Sequence, residues 1–386
     1  MILERTIARK EISSRLGNYR VTAILGPRQC GKTTLAKTFK TTDYFDLENP
    51  RDLARLDQPQ LALEGLKGLI VIDEIQRKPD LFPLLRYLVD TLPEQKYLIL
   101  GSASRDLIRQ SSETLAGRIS YFELSGFDIH EFGADRIPKL WLRGGLPSAC
   151  LARSDEQSFK WREDYITSFL ERDIPSFGIR IPSSTLRRFW QMISHYHGGI
   201  LNTSELGRSF GMAHTTVRHY IDVLQGTFML RLLQPWHSNS GKRLVKSPKI
   251  YMRDSGVYHT LLMIPNMKML ACHPKLGASW EGFALEMTLR SIGKNPENIF
   301  FWATHSGAEA ELFWQHGGGN WACEFKYSDA PKLGSSMISA MESLKLNKLW
   351  GVYPGSQAYS LHEKIDVIPL SKMPGQWKYP RIMHTR

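Results

Sequence analysis

The chain has 386 residues, with 50 Lys and Arg against 38 Asp and Glu, a formal net charge of +12, 42% hydrophobic and 23% charged residues. That length exceeds what one core serves and that composition excludes a disordered chain, so two or three folded domains are expected. No apolar stretch approaches the length of a membrane span, and Met1-Ile2-Leu3-Glu4-Arg5 meets charge too early for a secretory leader, so a cytoplasmic protein without a membrane partner is expected.

Ile2, Leu3, Ile7, Ile12 and Leu16 recur at helical spacing and predict a leading amphipathic helix. Short apolar runs predict strands at 21–25, 44–47, 69–72 and 97–100, with helical stretches between them, among them 81–92. Strands alternating with helices predict a parallel α/β sheet covered on both faces. After about residue 145 the pattern turns helical over 159–171, then over 186–196, 204–210 and 214–224, with Gly211-Met212-Ala213 as a tight turn. Residues 229–251 read as two strands around a basic loop. Trp280, Phe283, Ala284 and Met287 open a helix that precedes strands near Leu312 and Glu324. The four cysteines, Cys30, Cys150, Cys272 and Cys323, show no paired spacing, so free and mostly buried thiols are expected.

Gly26-Pro27-Arg28-Gln29-Cys30-Gly31-Lys32-Thr33 fits G-x-x-x-x-G-K-[ST] between a predicted strand and a predicted helix. Backbone N–H groups of such a loop, extended here to Thr34, wrap phosphates. Lys32 reaches the terminal phosphates and the Thr33 hydroxyl ligates Mg²⁺. The run 69–72 ends in Asp73 and Glu74, the first acid suited to the metal and the second to orienting an attacking water. The strand at 97–100 ends in Ser102 and Ser104, which are equivalent in sequence as sensors of a γ-phosphate.

The helix, helix, turn, helix and two-strand order over 183–250 is that of a winged helix-turn-helix. Ten Lys and Arg lie between Arg180 and Lys249 against Glu205 and Asp222 alone, so this stretch supplies +8 of the +12. His214, Thr215, Thr216, Arg218 and His219 form the exposed face of its third helix, with Arg243 and Lys246 on the wing, and double-stranded DNA is the expected partner. Val217, Tyr220, Ile221 and Leu224 form the apolar stripe of that helix. A winged helix also serves as a lid or subunit contact, and that reading stays open. Farther on, Glu281 on a helix, Glu311 before an apolar run, and Glu324 and Lys326 in an E-x-K strand are similar to the order of PD-(D/E)xK nucleases, in which two carboxylates converge on Mg²⁺ beside a lysine. Glu311 departs from that pattern, which has aspartate there.

The segments GPRQCGKTT, LIVIDEIQ, LILGSASRDL, ETLAGR and WLRGGLP together resemble prokaryotic AAA-type P-loop ATPases that carry a C-terminal domain of unknown function resembling a restriction endonuclease fold. The resemblance implies an ATPase domain over 1–145, a helical connector over 146–182, a winged helix over 183–250, an endonuclease-like domain over 251–372 and a tail over 373–386. It implies ATP and Mg²⁺ as cofactors and hydrolysis of ATP, with Arg118 as the finger or sensor arginine. An arginine finger needs a neighbouring subunit, which favours a homo-oligomer. A nucleotide-gated switch with little turnover, and an ATPase with added nuclease activity, are the alternatives.

Overall fold

The computed structural model of the chain describes residues 3–103, 115–236, 244–292 and 298–372. Five strands, β1 (Val21–Leu25), β2 (Asp43–Asp46), β3 (Gly68–Asp73), β4 (Gln95–Gly101) and β5 (Ile119–Glu123), form a parallel sheet in the order β2-β3-β4-β1-β5. β1 and β4 are apolar almost throughout because both faces of a parallel sheet are covered. The helix Thr6–Asn18 covers it with Ala8, Ile12 and Leu16, and the helix Leu81–Thr91 with Leu81, Phe82, Leu85, Leu88 and Val89. β5 escaped the sequence reading because Ile119-Ser120-Tyr121-Phe122-Glu123 is an edge strand of mixed polarity, only Ser120 being fully buried. This strand order puts the carboxyl ends of β1, β4 and β3 side by side, so the turn after β1 faces the acids after β3 across the end of β4.

Beyond β5 the chain is helical. Helix Asp155–Ser168 runs directly into a π-helical turn, Phe169–Asp173, that periodicity did not foretell. The helices Ser183–Ser194, Thr203–Phe210 and His214–Gly226 follow, and Gly211, at φ +64°, makes the left-handed stop between the last two. Strands β6 (Leu230–Pro235) and β7 (Lys249–Met252) pair antiparallel.

Next come helix Leu276–Ile292, strands β8 (Ile299–Ala303), β9 (Glu309–His316) and β10 (Gly319–Phe325), helix Ser335–Ser343, and strands β11 (Lys348–Tyr353), β12 (Tyr359–His362) and β13 (Ile365–Pro369). They do not stand apart from the preceding hairpin. One sheet of eight runs β12-β13-β11-β10-β9-β8-β6-β7, joined where β6 pairs parallel with β8 through Gln234 and Pro235. The expectation that the basic charge of 180–250 faces outward is therefore corrected in part. Arg231 pairs with buried Glu286, and Lys249 is buried against Glu309 at 2.8 Å, because the hairpin is built into the sheet. Arg180, Arg188, Arg208, Arg218 and Lys246 remain exposed, while Lys242 and Arg243 lie outside the described residues. One hydrophobic core runs from Ile12 and Ile24 through Leu186 and Leu224 to Tyr258, across the expected boundaries at 145, 182 and 250.

Candidate active site

The loop after β1 begins at Gly26, whose N–H donates to Gly101 O at 3.2 Å. A Cβ on Gly26 would lie 1.9 Å from Leu124 O, so the chain can pass there only as glycine. Gln29 (φ +59°) and Gly31 (φ +100°) turn the loop through the left-handed region before helix Lys32–Ala36 starts. Pro27 and Cys30 are buried, and Gln29 and Thr34 are exposed. Buried Lys32 donates to Gly26 O and Pro27 O, both at 2.9 Å, which keeps its ammonium inside the loop.

Facing it is the end of β3. Asp73 Oδ2 accepts from Thr33 Oγ1 at 2.7 Å and from the Tyr44 hydroxyl at 2.6 Å, while Oδ1 takes the Glu74 N–H at 2.9 Å. Burial, then the bond to Asp73, pushes the Tyr44 hydroxyl above its ordinary range, so it stays a donor. Glu74 sits in the left-handed region at φ +58°, a strained conformation for a side-chain-bearing residue of the kind that gathers at functional sites. Its carboxylate accepts from buried Ser102 Oγ, 3.1 Å from both oxygens, and from Gln76 Nε2. Burial pushes the Glu74 carboxyl up, opposed by Lys32 and Arg28. A carboxylate of raised pKa held beside a cation is placed to take a proton from water. The structure thus brings together Lys32, Thr33, Asp73, Glu74 and Ser102. Ser104 lies outside the described residues.

Arg118, expected as a finger or sensor arginine, lies away from the phosphate loop of its own chain. It precedes β5, and Ile119 lies opposite Val21 in register, so it sits at the amino end of the sheet, about 17 Å of strand from the loop. There it pairs with Asp90 at 2.6 Å, exposed. Within one chain it does not meet Lys32.

Sequence reading missed three contributors, Tyr44, Arg5 and Arg290, and placed a fourth, Arg28, in the phosphate-wrapping loop without its outward ion pairs. Tyr44 reaches Asp73 only through the β2–β3 register. Arg28 sends its side chain out of the loop to Glu48 and Asp173. Arg5 donates to Cys30 O at 3.0 Å, Ser125 O at 2.9 Å and Gly126 O at 3.2 Å, and pairs with Glu131 at 2.8 Å. Arg290 donates to Gly126 O and Phe127 O at 3.1 and 3.0 Å, tying the helix Leu276–Ile292 to the same segment. All are long-range contacts with no local signature.

On helix His214–Gly226, His214, Thr215, Arg218 and His219 are exposed, Thr216 is half-buried, and Val217, Tyr220, Ile221 and Leu224 are buried. Arg218 pairs with Asp222 on the surface, and Lys246 is exposed near β7. Arg243, expected on the same face, lies outside the described residues.

The C-terminal acids also gather. Lys326 pairs with buried Glu324 at 3.0 Å, and Glu311 accepts the Phe325 N–H at 2.5 Å. Burial first, and the Glu281 charge second, push the Glu311 carboxyl up to about 8, so it is largely protonated at neutral pH. Lys249 and Glu309, outside the expected set, complete the cluster. Among the described residues no group of three His, Cys, Asp or Glu side chains is spaced to hold a metal ion. Phe325 N–H takes one oxygen of Glu311 and Lys326 one of Glu324, while Glu324 Oε2 is buried without a hydrogen-bond partner.

Three family models match successive segments: an AAA domain over residues 18–133, and two domains of unknown function, DUF8612 over 134–268 and DUF4143 over 276–373. A solved structure, the Walker-type ATPase PABY2304 of Pyrococcus abyssi, covers 68% of this chain and 96% of its own with a TM-score of 0.51 at 15% identity, a likeness of fold. The uncharacterized proteins Mb2031c of Mycobacterium bovis and Rv2008c of Mycobacterium tuberculosis are each 45% identical over 377 residues, 97% of this chain and 85% of theirs. The chain carries an AAA domain over residues 18–133 with the fold of a P-loop ATPase, and it belongs to the same family as Mb2031c and Rv2008c.

Proposed function

We propose that the protein is a Mg²⁺-dependent ATPase that engages DNA through its three-helix unit. The observation that carries the ATPase reading is the convergence of Lys32, Thr33, Asp73, Glu74 and Ser102 at the carboxyl edge of one sheet. Lys32 would leave the loop carbonyls for the terminal phosphates. Thr33 Oγ1 and Asp73 Oδ2 are a pair of hard oxygen donors that would hold Mg²⁺, which when bound neutralises charge on the phosphate oxygens. Glu74, oriented by Ser102 and Gln76, would take the proton of the attacking water. Lys32→Ala abolishes ATP binding, whereas Glu74→Gln binds ATP and loses turnover by about 10²-fold or more. Radiolabelled ATP retention and steady-state phosphate release check both, and wild-type turnover in either variant refutes the reading.

DNA binding is supported by the exposed His214, Thr215, Arg218 and His219 lying opposite a buried apolar stripe, with Arg188 and Arg208 exposed on the neighbouring helices. Binding through phosphates falls with salt, and the double variant Arg208→Ala/Arg218→Ala lowers the slope of log K against log salt by about 1 to 2. Fluorescence anisotropy with duplex DNA measures it, and no binding at low ionic strength refutes it.

A further inference from the structure

Arg28 is the third residue of the phosphate loop, and its side chain leaves that loop. The guanidinium pairs on one side with Glu48, two residues past β2, and on the other with Asp173, the last residue of the π-helical turn. Glu48 is fixed to the sheet edge, its N–H donating to Asp46 at 2.9 Å, and Asp46 lies opposite Asp73 in register. Asp173 keeps 6% of its side chain exposed, and Phe169 at the start of its turn packs on Trp190 with ring centroids 5.2 Å apart. One side chain therefore joins the phosphate loop and the sheet edge to a turn that itself packs on the first helix of the three-helix unit. Its charge also reaches Glu74, with Lys32 as the other cation acting on that carboxyl among the described residues.

We propose that Arg28 distinguishes a nucleoside triphosphate from a diphosphate: the terminal phosphate draws its guanidinium away from Asp173, and the released π-helical turn signals to the three helices. The proposal rests on the ATPase reading above. A terminal phosphate offers more charge than a carboxylate and oxygens that match the guanidinium fork, and a diphosphate lacks that group. A buried carboxylate deprived of its cation is unfavourable, so the turn must expose Asp173 or let it take up a proton. Burial already pushes the Asp173 carboxyl up, and Arg28 is the first charge opposing that rise. A π-helical turn, whose hydrogen bonds run out of α register, is a natural place for the rearrangement.

The test is hydrogen exchange over residues 169–176 in the full chain carrying Glu74→Gln, with Mg²⁺ and either ATP or ADP. Exchange is expected to be about threefold or more faster with ATP than with ADP. Adding Arg28→Ala together with Asp173→Asn, which leaves no buried charge unpaired, removes the difference while ATP still binds. In the otherwise wild-type chain, Arg28→Lys keeps the charge without the fork and lowers kcat about tenfold with little change in KM. Equal exchange with ATP and ADP both bound, or a difference that survives the double substitution, overturns the role of Arg28 and leaves the ATPase reading standing. Failure of the Glu74→Gln chain to bind ATP overturns both.

Discussion

At the scale of single residues, the site depends on positions where only one side chain fits. Gly26 is the strictest, because a methyl group there would press on the Leu124 carbonyl that follows β5. Gly26→Ala is expected to destabilise the fold by about 2–3 kcal/mol, seen as a lower urea midpoint, and to abolish ATP retention. Glu74 is held by contacts rather than by geometry of choice: its left-handed backbone is strained, and Ser102 and Gln76 fix the carboxylate that the strain aims. The motif residues were legible because a phosphate loop needs glycines and a lysine at fixed spacing along the chain. Tyr44, Glu48 and Asp173 were not, because their places depend on strand register and on a helix more than a hundred residues away.

At the scale of elements, the helix Leu276–Ile292 is buried almost all round and links the two halves of the molecule. Its Glu286 meets Arg231 from β6 and Arg253 just after β7, while Arg290, one turn on, holds the segment after β5 that Arg5 holds from the other side. Burial alone would raise the Glu286 carboxyl, but Arg231 and Arg253 overcome it and hold it down to about 2. Glu286→Gln leaves the guanidinium of Arg231 without its counter-charge and Arg253 with Glu123 alone, and is expected to cost about 3 kcal/mol of stability, measured by urea denaturation at neutral pH. The elements themselves were mostly predictable, since β1 and the helices 81–91 and 214–226 carry strong period or apolar signals. β5 and the π-helical turn carried none.

At the scale of the whole molecule, buried titratable groups set the pH range of stability. Burial lowers His197 and His259 to about 3 from 6.5, so both stay neutral in the fold while the unfolded chain protonates. Their contribution is complete above about pH 6.5 and is lost as pH falls toward 3. Glu311 runs the other way: raised from 4.5 to about 8, it stabilises the fold fully below 4.5 and loses that contribution as pH rises through 8. Thermal unfolding across pH should therefore peak near pH 6.5, and Glu311→Gln should flatten the decline between that peak and pH 8.

The sequence by itself determined the phosphate loop, the acids that follow the third strand, the alternation that makes a parallel sheet, and the apolar stripe of the helix His214–Gly226. These are local properties: a turn, a run or a period is written in adjacent residues. Tertiary structure decided what the charge is for. The excess of +8 between Arg180 and Lys249 reads in sequence as one basic surface, yet Arg231 and Lys249 are neutralised inside the molecule by Glu286 and Glu309. It also placed two arginines of the sequence reading, leaving Arg118 at the far end of the sheet and setting Arg28 between Glu48 and Asp173. A charge acts through its distance to other charges, and that distance is fixed only when the chain is folded.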